Sequence, residues 1–375
     1  MRRVLLTAVA STTLVAATSA APALAVGNSP EKAPLFNGSV YAIAYRGDTV
    51  YVGGSFTSVA WGGRSYERAR LAAFNTRSGA LLNWSPKANS TVRALAAEGS
   101  AVYAGGSFTT VSGWQRDNLV RLDANTGNVS AFSHRVTGTP YALATGNGRL
   151  YAAGSFSAIN GSTRRNAAAF SLSSGSLDSK WKPSADDAIH SLAVTGSRVY
   201  LGGSFHKVSG VSGTLRIAAV TPTGGSVDKA FRPSAKAQVN AIATDSNGVY
   251  AATGGQGGRL LAFTPSGKPR WQRVFDGDAT AVTTLSGTIY VGGHFDRACT
   301  TLNNGAQGTC TDGSISRVKL AAVSQSGALT GWAPQANGVI GVRTLVTDRN
   351  RGAIGAGGDF TTIGGQNRKR YASFR

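Results

Sequence analysis

Glutamate is almost missing: Glu31, Glu67 and Glu98 are the only three in 375 residues, and histidine contributes four. Acid–base or nucleophilic catalysis needs such groups to converge, so the supply for an enzyme is thin. Two cysteines, with no histidine pair nearby, are a poor ligand set for a metal site, the alternative to a disulfide between them. There is no Gly-x-Ser-x-Gly elbow, phosphate loop or His-rich motif, and no cofactor or metal is expected. Beyond residue 25 no apolar run approaches a membrane span. After residue 33 no polar or proline-rich linker divides the chain.

Glycine, by contrast, is plentiful at 49 residues, and much of it recurs in register. Tyr51, Tyr103, Tyr151, Tyr200, Tyr250 and Tyr290 occupy one slot of a unit present seven times, with Ile354 in the seventh copy. The mean period of about fifty residues lies in the range of propellers and solenoids. A V-x-A-L-A-like run precedes each slot, beginning at Val40, Val92, Pro140, Ile189, Val239, Ala279 and Val342. Gly-Gly-Ser-Phe follows it, as at residues 105–108. A third run resembles residues 71–74, and a fourth ends in an aromatic and often a proline, as in Trp84-Ser85-Pro86 and Trp332-Ala333-Pro334.

Short Val-, Tyr- and Phe-rich runs closed by Gly, Ser, Asn or Asp read as strands. Each unit is then a four-stranded meander, and seven in a ring bury one another's faces. The expected fold is all-β: a seven-bladed β-propeller of four-stranded antiparallel blades over residues 33–375, after a short segment at 26–32. The last copy stops after its third strand, at Tyr371–Phe374. Ala33-Pro34-Leu35-Phe36 reads as the missing fourth, expected to pair on the outside of the seventh blade and close the ring.

Residues 1–25 read as a secretory signal peptide: Arg2 and Arg3, an apolar stretch to Ala17, then Ala23-Leu24-Ala25. The alternative, an uncleaved anchor, is opposed by a short stretch rich in Ala and Thr. The paired arginines leave general and twin-arginine export both open. A secreted, extracellular or wall-associated monomer is expected, with Cys299 and Cys310 joined as a disulfide. The small loop so closed is worth on the order of 2–3 kcal/mol.

Without Arg2 and Arg3 the chain keeps 36 basic against 17 acidic residues, or +19. Such a field favours anionic partners: phosphate-bearing wall polymers, acidic polysaccharide or a membrane surface. Nucleic acid ranks last, because the charge is spread over all units without a nucleic-acid motif. Arg68, Arg116, Arg164, Arg317 and Arg368 each stand three residues before the third run. Their repetition assigns them to architecture, as donors to loop carbonyls. Trp84, Trp181, Trp271 and Trp332 read as core anchors by position.

Departures from the repeat are where function is sought. Loops joining strands two to three and four to one share a face, which collects Trp61, Trp114, His206 and the insertion holding the cysteines. The second position of the innermost strand varies as Tyr41, Arg93, Tyr141, His190, Asn240, Thr280 and Arg343. These are expected to ring the channel mouth and suit a glycan, against the plainer reading of variation at solvated positions. Asp186, Asp187, Asp276 and Asp278 are the catalytic candidates: a pair could serve glycoside cleavage or hold calcium loosely, against ordinary solvated loop carboxylates. His294 and Asp359 replace the serine of the second strand's end. The fifth copy carries Gly254-Gly255-Gln256-Gly257-Gly258 without a phenylalanine, and its short loop predicts a notch.

The pattern V-x-A-L-A, V-Y-V-G-G-S-F-T, L-A-A-F, T-G-x-L-x-x-W-x-P resembles the delta-60 and YVTN-like propeller repeats of secreted actinobacterial proteins. The resemblance covers nearly everything after residue 33 and implies a propeller, but it brings no catalytic residues. The resulting expectation is a secreted, non-catalytic propeller binding an extracellular or cell-surface ligand, a glycan or anionic cell-wall polymer. The alternatives are a glycan-cleaving enzyme using the loop aspartates, and an envelope scaffold for surface proteins.

Overall fold

Among the described residues, seven antiparallel sheets built on the first three runs of the repeat follow one another, with short outer hairpins between some of their strands. In the first, Val40–Arg46 pairs with Thr49–Gly54, which pairs with Leu71–Asn75. The innermost strands are Val40–Arg46, Val92–Glu98, Val136–Gly146, Ile189–Val194, Val239–Asp245, Ala279–Leu285 and Val342–Asp348. Each packs against the next, and the last packs against the first. The computed structural model describes residues 26–375, so the signal-peptide reading lies outside the described residues. Apart from a single 3-10 turn at Ala306–Gly308, those residues contain no helix, and none is long and apolar enough to cross a membrane.

The Gly-Gly step of the repeat has a packing cause. A Cβ on Gly53 would strike Cγ1 of Val92 in the next sheet, and one on Gly54 would strike the Ser39 carbonyl. Gly357 meets Val40 in the same way, which brings the last sheet onto the first. Apolar clusters occupy these junctions: Tyr51, Trp84, Val92 and Phe108 share one, and Phe36, Val40, Phe56 and Tyr371 share another.

Among the described residues only the fifth sheet has a full fourth strand, Pro269–Val274. Elsewhere the fourth run makes a single bridge, as Leu81 with Phe74 and Val129 with Leu122. The chain then leaves the sheet because its aromatic belongs to the next core. Trp84 meets Tyr51 edge-on at 5.1 Å and donates Nε1–H to the Asp123 carbonyl, and Pro86 has no N–H to extend a ladder. Trp181, Trp271 and Trp332 donate likewise to carbonyls of Thr221, Gln325 and Gly27. The repeated arginines also do what their regularity implied: Arg68, Arg116, Arg164 and Arg317 reach the carbonyls of Leu82, Ser130, Asp178 and Thr330.

The expected position of Leu35–Phe36 is corrected. This strand pairs in the first unit, with Ser58–Trp61, in the register Leu35 to Ala60 and Phe36 to Val59. Its ring enters the junction core beside Phe56, 4.8 Å away, because Phe36 fills the slot that Ala88 fills one unit later, opposite Val111. The residues lying along the last strand come earlier: Gly27 N–H donates to Arg375 O at 3.0 Å and Glu31 N–H to Ser373 O at 2.7 Å. Val26, in the segment assigned outside the propeller, is buried in the core shared with Trp332 and Phe374.

Candidate functional site

Each innermost strand carries one residue too many for its partner. The register steps from Val40 to Ala42, Val92 to Ala94, Pro140 to Ala142, Ile189 to Ser191, Val239 to Ala241, Ala279 to Ala281 and Val342 to Thr344. The skipped residues are Tyr41, Arg93, Tyr141, His190, Asn240, Thr280 and Arg343. A bulge of this kind frees its extra residue from the ladder and re-aims the side chain. All seven converge on one opening of about 370 Å³ that they alone line, and with the residues that follow them in each strand they line a cavity of about 260 Å³.

The ring has two unlike halves. On one, cations and aromatic rings alternate: Arg343 lies 5.2 Å from the Tyr41 ring centre, and Arg93 lies 5.8 Å from Tyr41 and 5.9 Å from Tyr141. Tyr141 then stacks on His190, 5.6 Å apart and 13° from parallel. The other half is a neutral hydrogen-bonded chain. His190 Nε2 lies 3.0 Å from Ser204 Oγ, whose hydroxyl donates to Gln238 Oε1. Gln238 Nε2 donates to Asn240 Oδ1, and Asn240 Nδ2 to the Ala279 carbonyl. With Ser204 donating onward, His190 holds its proton on Nε2. Burial pushes its imidazole below the ordinary value, with Asp187 opposing.

Arg343 is fixed from behind by Asp359, whose Oδ2 accepts its Nε–H at 2.6 Å while Oδ1 accepts Ser39 Oγ–H. Arg93 is exposed and has no carboxylate partner among the described residues. The mouth is therefore electropositive on its aromatic half.

Trp61 and Trp114 are not brought to this opening. Trp61 sits on the outer hairpin Ser58–Trp61 and Arg64–Glu67, under Lys32 Nζ at 4.9 Å and against the Gly79 turn. Trp114, on the hairpin of the second unit, is 60% exposed beside Arg116. Cys299 and Cys310 form the disulfide.

The aspartates hold loops. Asp186 Oδ1 accepts the N–H groups of His206 and Lys207, and Asp276 Oδ1 those of Asp296 and Arg297. Asn37, Asn89 and Asn337 do the same in other units, so an amide serves this slot equally well. Burial alone would lift the Asp186 carboxyl, but the Lys207 and His206 amides hold it below the ordinary carboxylate range. Asp187 accepts from Ala188 N–H and Asp278 from Gly255 N–H. Among the described residues no three His, Cys, Asp or Glu side chains gather where an ion could sit.

Sequence reasoning missed Ser204 and Gln238, and it read Asp359 only as a strand-end substitution. For Asp359 the signal was present: with Gly254 and His294 it is one of three residues that break the serine slot.

A family model described as a domain of unknown function (DUF5122) beta-propeller matches residues 145–179. No curated protein matches the chain. Among solved structures, the WD40 beta propeller domain of Doa1 is similar with a TM-score of 0.59 at 10% identity, covering 92% of this chain and 96% of that one. The chain is a β-propeller repeat protein. The computationally designed Ika8 protein is also similar, with a TM-score of 0.50 at 13% identity over 91% of this propeller and 98% of its own chain. Similarity at this level shows the propeller's fold alone.

Proposed function

We propose that this is an exported, non-catalytic propeller of the secreted actinobacterial type that binds a glycan or anionic cell-wall polymer at the mouth ringed by Tyr41, Arg93, Tyr141, His190, Asn240, Thr280 and Arg343. The seven sheets are its blades, and the fourth strand of the last is supplied by residues 27–31, which fastens the ring. The observation that carries the functional reading is the placement of Arg93 between two tyrosines on bulged positions that line one opening. Aromatic faces take the apolar side of a pyranose, and a guanidinium pairs with carboxylate or phosphate in two parallel bonds. The chain's excess of positive charge steers such ligands towards it.

The test is a glycan array beside a wall-polymer pull-down, run with the parent protein and with Tyr41, Arg93 and Tyr141 changed to alanine. Acidic glycans are expected to bind the parent over neutral ones and to be lost from the triple variant. Binding that survives all three changes removes this site. Reducing-sugar release abolished by Asp276→Asn would instead establish an enzyme.

A further inference from the structure

Six of the seven junctions between consecutive units are sealed alike. A residue of the crossing chain pairs with the outer hairpin of the next unit: Phe36 with Val59, Ala88 with Val111, Val136 with Ile159, Ala185 with Val208, Phe275 with Ala298 and Ala336 with Ile363. The N–H just after it commonly donates to the same hairpin, as Asn89 to Thr110 O at 3.1 Å and Asp276 to Arg297 O at 3.1 Å.

The junction between the fourth and fifth units breaks this rule. Ala235 and Lys236 hold the crossing positions, but the fifth unit joins its second and third strands through residues 254–258 alone and has no hairpin to offer. The Lys236 N–H has no backbone partner among the described residues. A cleft of about 800 Å³ lies where the hairpin would be. Trp271 and Leu261 give it an apolar lining, and Ser234, Lys236 and Ala237 line it from the crossing chain.

The disulfide-closed insertion lines the cleft as well. Arg259 donates to Asn304 Oδ1 at 3.1 Å and Gln256 to the Gly305 carbonyl at 2.9 Å, which holds that loop over the cleft and leaves Leu302 51% exposed at its edge. Lys236, Arg259 and Arg270 line the cleft, and no Asp or Glu does.

We propose that this cleft takes an extended, acidic segment of a partner protein, added as a strand beside residues 234–237 in place of the missing hairpin. The other six junctions are the intramolecular precedent for the pairing, and strand addition to an unfilled edge is an established mode of peptide capture. Three basic side chains without a counter-ion on the lining select acidic residues, while Leu302 and Trp271 receive alternate apolar ones. This site is separate from the channel mouth.

The experiment is a fluorescence-anisotropy titration of the purified protein with a short labelled peptide alternating Glu and Val, its Lys and Val counterpart, and a copy N-methylated at alternate backbone amides. Saturable binding of the Glu and Val peptide alone is expected, weakened about tenfold or more by Lys236→Glu, and unchanged by Arg93→Ala. Slowed hydrogen exchange at residues 234–237 on peptide addition is expected with it, and Leu302→Asp should weaken binding as a second exposed variant. Absence of binding, binding indifferent to N-methylation, or binding lost with Arg93→Ala and kept with Lys236→Glu would overturn the proposal. So would preference for an acidic oligosaccharide that Lys236→Glu abolishes.

Discussion

Arg351 holds Glu31 through two bonds, 2.9 Å to Oε2 and 2.6 Å to Oε1, across 320 residues of sequence. Glu31 Oε2 also accepts Ser373 Oγ–H at 2.8 Å, so one carboxylate ties the N-terminal segment to the last strand. The Arg351 side chain is only 5% exposed, and loss of its anion would leave a buried charge unpaired. Glu31→Ala is predicted to cost about 2 kcal/mol or more, and removing residues 26–36 to cost more still. Thermal melting of the two variants checks this; unchanged curves would contradict the clasp.

Stability should also fall on mild acidification, through His134. Its Nε2–H donates to the Gly175 carbonyl at 2.8 Å, and Nδ1 accepts from Asn160 Nδ2–H at 2.9 Å, so a second ring proton would face a donor. Burial between Phe132 and Phe170 lowers its pKa, opposed by the Gly175 bond. A folded value below the unfolded one means the unfolded chain binds more protons. The contribution is therefore complete above about pH 6.5 and is lost as pH falls towards the folded value. Denaturant midpoints measured from pH 7.5 down to about 5 should decline, with a shallower slope in His134→Phe.

Asp359 gives the mouth a third test. It neutralises Arg343 while holding it in place, so Asp359→Asn keeps an acceptor for the guanidinium and removes a negative charge near the opening. Affinity for an acidic glycan should rise by about threefold to tenfold, as expected for one charge at short range in a partly solvated site. The gain should shrink in high salt. A weaker complex would show that the carboxylate itself receives the ligand.

The ring positions were legible because each stands a near-constant distance before a tyrosine that packing repeats. The bulge that aims them was not, since one extra residue leaves the alternation of Val40 to Arg46 looking like any strand. The outer hairpins escaped notice because Ser58 to Trp61 and Arg64 to Glu67 are partly exposed and carry no apolar period. Leu35 and Phe36 were misplaced by composition: an apolar doublet after proline resembles a fourth strand, whereas its spacing to Asn37 marks the crossing slot. Ser204 and Gln238 belong to different units, and only the fold brings them between His190 and Asn240.

The most direct test of binding at the mouth is a calorimetric titration of an acidic wall glycan into the parent protein, Arg93→Ala and Arg77→Ala. Arg77 is an exposed residue of the 75–79 turn, so both variants lose the same net charge. A loss of about tenfold or more in Arg93→Ala, with Arg77→Ala close to the parent, is predicted. Equal affinities in all three proteins would contradict it.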